Sequence, residues 1–188
     1  MITIAILLVI GLAVMFLVST YNGLIALRNN VMNAFKQIDI QLKRRHDLIP
    51  NLVNSVKGEM KFEQSTLEKV ISARTAAVSA GNSGNLAQMG KAEGELSGAL
   101  GRLFAVAEAY PDLKAHTNVT SLMEELKSTE NKLSFSRQFY NDLVTKFNTQ
   151  QQVFPTNIFA SMLGFSPAEL FEIENAQERE NVQVDLTI

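Results

Sequence analysis

The chain has 188 residues, of which 46% are apolar and 19% charged, and these proportions are ordinary for one globular domain with a sizeable core. Its net charge of −2 provides no basic face of the kind that nucleic-acid binding requires. It contains no cysteine, which excludes disulfides and thiolate chemistry, and its two histidines have no carboxylates at metal-ligand spacing. We expect no nucleic-acid partner, no metal and no cofactor.

The first predicted element is a membrane-spanning helix. Residues 1–27 contain no charged side chain, and the run ITIAILLVIGLAVMFLV at 2–18 begins a stretch long enough for a hydrocarbon core, which needs about 20 helical residues. A cleaved secretory signal is the alternative, but the start has no basic segment and no small-x-small cleavage site follows. Because Arg28 and Lys36 follow the span, we expect a single-pass anchor with the N-terminus outside and the bulk in the cytoplasm.

Beyond the anchor, the spacing of apolar residues predicts helices. Apolar side chains recur three and four residues apart, and AGNSGN at 80–85 has the composition of a turn. The fold class is therefore predicted to be all-α, an N-terminal transmembrane helix followed by an up-and-down antiparallel four-helix bundle. The helices are expected near 20–45, 47–80, 86–109 and 118–150, and the domains are a transmembrane anchor (1–27), the helical bundle (28–150), and an apolar amphipathic segment with a polar C-terminal tail (151–188).

The segment QLKRRHDLIPNLV at 41–53 predicts a corner between two helices. Arg45 falls on the apolar seam, so it must find a carboxylate or lie where the seam reaches solvent. A corner provides the second option, because Asp47 can cap a new helix with Pro50 in its first turn. We therefore expect a sharp corner near Arg45, with His46 exposed.

One alternative to the corner is a single bent helix from the anchor to residue 80. In that arrangement the apolar seam of residues 24–56 has no partner within the chain, and only oligomerisation would bury it.

A candidate interaction surface combines the 41–53 segment with the turn AYPDLKA. Lipid attraction by the basic residues is weak if the helix extends straight out of the membrane, because surface potential fades within about 8 Å. A partner protein or an acidic neighbouring helix is favoured over lipid as the target of these basic residues, and a solvated helix end is favoured over both. The candidate residues are Lys43, Arg44, Arg45, Asp47, Pro50, Tyr110, Pro111 and Asp112.

A second candidate surface is the segment FPTNIFASMLGFSPAELFEI at 154–173, which is densely apolar. It either lies in the membrane interface or caps the open end of the bundle. The candidate membrane-contacting residues are Phe154, Ile158, Phe159, Met162 and Phe165.

No pattern in the chain predicts catalysis. The sequence has no nucleophile triad in a supporting context, no H-E-x-x-H and no nucleotide fingerprint. Neither histidine follows a glutamate by three residues, as a di-iron bundle would need. We expect a protein that is not an enzyme and has no catalytic residues.

Four ordered motifs resemble the LemA family of bacterial membrane proteins. They are YNGLIALRNNVMNAFKQIDIQLKRRHDLIPNLVNSVKG (21–58), LGRLFAVAEAYPDLKA (100–115), ELKSTENKLSFSRQFYND (125–142) and FPTNIFASMLGF (154–165). The resemblance implies a single transmembrane helix in the bacterial inner membrane, a short outer N-terminus and a soluble four-helix bundle. It implies no enzymatic activity and no cofactor.

Two functions of different class follow as expectations. The first is a membrane-anchored scaffold or adaptor that associates with itself or with other membrane proteins. The second is a membrane-surface protein that binds or remodels lipid through the 154–173 segment.

Overall fold

The computed structural model describes residues 1–57, 64–110 and 117–172. Within these three stretches the regular secondary structure is helical and no strand occurs, so the predicted all-α class is confirmed. The helices are α1 (Ile2–Lys57), α2 (Gln64–Gly81), α3 (Leu86–Glu108), α4 (Thr117–Gln152) and the short α5 (Thr156–Phe159).

The N-terminal part of α1 is apolar and exposed. In the described chain, α1 is the one helix that is long and apolar enough to cross a membrane, and its most apolar stretch has no buried residue. An exposed apolar surface of this length needs an apolar surrounding, which a hydrocarbon core supplies. The structure therefore agrees with the predicted N-terminal membrane helix.

The predicted corner near Arg45 is wrong. Helix α1 continues through Arg45 and Pro50 as far as Lys57, and the next helix begins at Gln64 rather than near residue 47. The continuous helix of the alternative arrangement is correct up to Lys57. Residues 58–63 lie outside the described residues.

A side chain from α2 explains how α1 tolerates a proline. Pro50 has no backbone N–H, so the carbonyl of His46, four residues earlier, loses its helical hydrogen bond. Nε of Arg74 donates to this carbonyl at 2.7 Å. The carbonyl is therefore satisfied without a break in the helix.

The apolar seam of α1 is buried by the chain itself. The expectation that a continuous helix would leave this seam without a partner is wrong, because its side chains are almost wholly inaccessible in a single chain. The seam residues that are no more than 3% exposed include Leu24, Ile38, Leu42, Ile49, Leu52 and Val56.

The chain divides into two compact units. The first contains Met1–Asp39 and Ser134–Leu170, and the second contains Ile40–Leu133 with the described residues Phe171 and Glu172. Each unit therefore combines a part of α1 with a part of α4.

The core of the second unit receives side chains from four helices. They are Ile49, Leu52, Val53 and Val56 of α1, Leu67, Val70 and Ala77 of α2, Ala92, Leu96, Leu100 and Leu103 of α3, and Val119 and Leu126 of α4. Helices α2 and α3 pack against each other. The turn between them uses Gly84 at a φ of +71° and Asn85 as N-cap, whose side chain accepts a hydrogen bond from the backbone of Gln88 at 3.0 Å.

Aromatic pairs join the parts of the first unit. Phe35 of α1 contacts Tyr140 of α4 with ring centres 5.7 Å apart. Phe165, in the chain that follows α5, contacts Tyr21 at 5.8 Å and Phe147 at 6.3 Å. These distances are those of favourable aromatic pairs, so the residues after α5 are held to both long helices.

Candidate functional sites

A buried ion-pair network surrounds Arg45. Its side chain is fully buried, and Nη2 donates to the carboxylate of Glu93 on α3. Its Nη1 donates to Oε1 of Glu130 on α4 at 2.5 Å and to Oγ of Ser97 on α3 at 2.7 Å. One guanidinium therefore joins three helices of the second unit.

Helical spacing places the partners of Arg45. Glu93 and Ser97 are four residues apart on α3, so they lie on one face of that helix. The hydroxyl of Ser97 accepts from Arg45 and donates to Oε2 of Glu130 at 2.9 Å. Both terminal nitrogens of the guanidinium thus have carboxylate or hydroxyl partners, which offsets much of the cost of burying this charge, whereas Nε of Arg45 and Oε1 of Glu93 have no hydrogen-bond partner.

His46 is a second neighbour of Glu93 from α1. Its Nε2 lies 3.1 Å from Oε1 of Glu93, and its side chain is 14% exposed. The two atoms are close, but neither makes a hydrogen bond. Burial opposes ionisation of Glu93, but nearby His46 and Arg45 outweigh it, and the pKa of Glu93 falls below its ordinary value of 4.5.

The expectation that Arg45 reaches solvent is wrong, and so is the prediction of an exposed His46. Arg45 takes the other option, a carboxylate. The sequence carried a signal for this partner, because Glu93 is spaced three and four residues from the apolar positions Leu96 and Met89 of α3. A glutamate and an arginine that both lie among apolar positions are expected to pair, because each charge needs a partner when it is buried.

The other residues of the first candidate surface fall into three groups. Lys43 and Asp47 are exposed, and Arg44 is exposed but pairs with Glu125 at 2.5 Å. Pro50 and Tyr110 are half-buried. Pro111 and Asp112 lie outside the described residues.

The second candidate surface is mostly exposed. Phe154 is 79% exposed and Met162 is 81% exposed, Ile158 is also exposed, and Phe159 is half-buried. Phe165 differs from them because it is buried against Tyr21 and Phe147. The structure therefore separates one aromatic residue that fixes the segment from apolar residues that face outward.

Side chains of α4 hold the chain that follows Phe165. Asn148 donates through Nδ2 to the carbonyl of Ala168 at 2.9 Å, and its Oδ1 accepts from the amide of Ala168 at 2.8 Å. The hydroxyl of Tyr140 donates to the carbonyl of Glu169 at 2.9 Å. Burial, together with the charge of Glu169, raises the pKa of Tyr140, so this phenol stays a donor. No local pattern in the sequence predicts these hydrogen bonds.

A cavity of about 360 Å³ lies between the two long helices and this segment. Its walls come from three parts of the first unit: Arg28, Val31 and Met32 of α1, Phe147 of α4, and residues 164–168. Gly164 has a φ of +77°, which turns the chain after α5 and favours glycine at this position.

No group of three histidine or acidic side chains in residues 1–57, 64–110 and 117–172 is placed to hold a metal ion.

The sequence model of the LemA family matches residues 34–186. The chain belongs to the LemA family. The matched range contains the Arg45 network and the 154–165 segment.

Relatives within the LemA family differ in name and length. The chain is 26% identical to Magnetosome protein MamQ 2 of Paramagnetospirillum magneticum over 179 residues, which cover 83% of this chain and 66% of the relative. It is 28% identical to Protein LemA of Metamycoplasma hominis over 179 residues, which cover 95% of this chain and 79% of the relative. The chain thus spans just under two thirds of that MamQ relative. Neither name specifies an enzymatic activity.

Proposed function

We propose that this LemA family protein is a non-enzymatic, membrane-anchored scaffold that acts through association with a second copy of itself. The supporting observation is a pair of exposed aromatic residues on α4. Phe135 is 72% exposed and Phe139 is 51% exposed, and they are one helical turn apart. Exposed aromatic side chains on one helix face are typical of protein-binding surfaces.

The interior of the protein supports an association at this surface rather than along the seam of α1. The seam is already filled by the chain, so a partner helix finds no open groove there. Phe135 and Phe139 each have a large apolar side chain that a protein contact would remove from water. Association through these two side chains buries apolar surface that stays exposed in the folded single chain.

The charged interior supports the non-enzymatic part of the proposal. Arg45 and Glu93 are fully buried and paired with each other, so they are positioned to hold helices together rather than to meet a substrate. Glu130 and Ser97 complete the same network. These groups act as structural partners.

We also propose the predicted four-helix bundle and membrane orientation, with one continuous α1 in place of the predicted corner. A core built by α1, α2, α3 and α4 supports an antiparallel four-helix bundle. Arg28 and Lys36 follow the apolar stretch, which supports a single pass of the bacterial inner membrane with the N-terminus outside.

Mass photometry of the full-length protein in detergent tests the scaffold. We expect discrete oligomers for the natural chain and monomers for Phe135→Ser/Phe139→Ser. Phe154→Ser is a matched control, because it also removes an exposed phenylalanine and should leave the oligomers intact. Monomers of the natural chain, or oligomers that survive the double substitution, would refute this proposal.

A second function, membrane-surface lipid binding, is favoured by the contact between Tyr21 and Phe165. Tyr21 follows an uncharged stretch as long as a hydrocarbon core requires, and aromatic residues concentrate at that boundary. Because Phe165 contacts Tyr21, the segment carrying Phe154 and Ile158 is tied to α1 at the level where α1 leaves the membrane. Its exposed apolar side chains suit the interface between head groups and acyl chains.

Tryptophan fluorescence tests this second function, because the chain contains no tryptophan. Phe154→Trp introduces a single reporter, which we expect brominated lipids to quench when the full-length protein is reconstituted in vesicles. Phe135→Trp is the control and should not be quenched. Equal quenching of the two variants, or none of Phe154→Trp, would contradict insertion of the segment.

A further inference from the structure

We propose that the cavity beside Arg28 binds the head group of an anionic phospholipid. This inference rests on the proposed membrane placement of the first unit and adds a specific site to it. The cavity, at about 360 Å³, has the size of a small-ligand site. Its walls combine one guanidinium with apolar side chains. A phospholipid has the complementary groups, because its anionic phosphate is joined to hydrocarbon.

Arg28 is the group that would bind the phosphate. It is exposed, lines the cavity, and pairs with no acidic side chain of the described residues. A guanidinium can hold a phosphate by two parallel hydrogen bonds. Ser166, also exposed at this cavity, supplies a hydroxyl that can donate to the same ligand.

The position of Arg28 along α1 matches the depth of head groups. It lies seven residues after Tyr21, which is two helical turns and about 10 Å. Side chains on a helix lean toward its N-terminus, so a long side chain at this position can reach back toward the membrane. Tyr21 and Arg28 therefore lie on the same side of α1, and Phe165 contacts the first and lines the cavity with the second.

The remaining walls favour a lipid over a free anion. Met32 is half-exposed at the cavity, in front of the buried side chains of Val31, Phe147 and Phe165, and an inorganic phosphate would leave this apolar surface of Met32 in contact with water. The glycerol and upper acyl carbons of a phospholipid would cover that surface. The exposed segment at Phe154 and Ile158 would lie beside the same lipid layer.

Lipid retention by the full-length protein tests the site. The protein is reconstituted in vesicles of mixed phosphatidylglycerol and phosphatidylcholine, extracted in detergent, and analysed for bound lipid by native mass spectrometry. We expect the natural chain to retain phosphatidylglycerol preferentially. Arg28→Gln should reduce that preference about fivefold, as expected from the loss of one basic side chain at an anionic surface.

Lys36→Gln is the matched control. It makes the same change of charge on α1 but lies eight residues, or about 12 Å, beyond Arg28, which exceeds the screening length at physiological salt. The control should retain phosphatidylglycerol like the natural chain. Arg28 is exposed, so thermal unfolding of Arg28→Gln should match the natural chain and exclude a folding defect.

Three outcomes would overturn the site. They are equal retention by Arg28→Gln and the natural chain, no preference for the anionic lipid in the natural chain, and displacement of the bound lipid by inorganic phosphate, which would indicate a free anion. Vesicle flotation distinguishes a failure of the proposed lipid site from a failure of the proposed membrane placement. Protein that floats with vesicles without a lipid preference refutes the site alone, and protein that does not float also refutes the membrane placement.

Discussion

Arg74 of α2 donates a hydrogen bond to the carbonyl that Pro50 leaves without a helical partner. That carbonyl belongs to His46, and the distance is 2.7 Å. Asp47 and Pro50 together have the sequence of a helix start, yet neither ends α1. The carbonyl that a proline exposes can therefore become a docking point for the next helix.

Replacing Arg74 should cost less stability when Pro50 is also replaced. Arg74→Met leaves the partly buried His46 carbonyl without a partner, which costs about 1 kcal/mol. In the Pro50→Ala background, Ala at position 50 supplies the missing N–H, so the same change should cost clearly less. A double-mutant cycle by urea unfolding measures the difference. Equal costs in both backgrounds would refute the role of Arg74.

Removing Glu93 should destabilise the protein strongly. Glu93→Leu leaves the buried guanidinium of Arg45 with one carboxylate fewer, at a cost of about 3–5 kcal/mol. Glu125→Leu, which breaks the exposed pair with Arg44, should cost no more than about 1 kcal/mol. Chemical denaturation compares the two. Arg45→Met/Glu93→Leu should recover stability relative to Glu93→Leu alone, and a further loss would contradict the ion-pair account.

Acid should weaken the fold through Glu93. Its pKa in the folded protein lies below the ordinary value of 4.5, so its stabilising contribution is present above pH 4.5 and is lost as the pH falls through the folded value. The groups that face it are Arg45, His46 and, through the shared guanidinium, Glu130. Urea unfolding at a series of acidic pH values should show a shallower decline for Glu93→Gln than for the natural chain. Identical slopes would exclude this linkage.

Asn148 should control the order of the chain after Phe165. Asn148→Ala removes both hydrogen bonds to Ala168, and we expect faster hydrogen exchange at the Ala168 amide while the amides of α4 keep their protection. Asn157→Ala is the control, because Asn157 is exposed on α5. Unchanged exchange at Ala168 in the Asn148 variant would show that other contacts hold the segment.

The helical class and the buried faces of the helices could be predicted from the sequence, because the spacing of apolar residues reflects which side of a helix is buried. It placed residues of the α1 seam, such as Ile38 and Leu52, correctly in the interior. It failed at Pro50 because the compensating donor, Arg74, is 28 residues from the His46 carbonyl, and local signals cannot show such a contact.

The candidate sites show the same division between local and distant information. The apolar character of the 154–165 segment was evident from composition, but the burial of Phe165 depends on Tyr21 and Phe147. Likewise, the charge of Arg45 on an apolar seam was evident, whereas its pairing with Glu93 and Glu130 depends on three helices meeting. Spacing identified the unusual residues, and only the fold identified their partners.

The pairing of Arg45 also has a consequence for biosynthesis. Its two carboxylate partners lie 48 and 85 residues later in the chain, so the ribosome makes the arginine well before either glutamate. Until α3 and α4 emerge, the growing chain exposes an apolar helix face with an unmatched positive charge in its middle. The arginine has both of its carboxylate partners only after α3 and α4 have been made, so complete pairing at the centre of this core requires both helices.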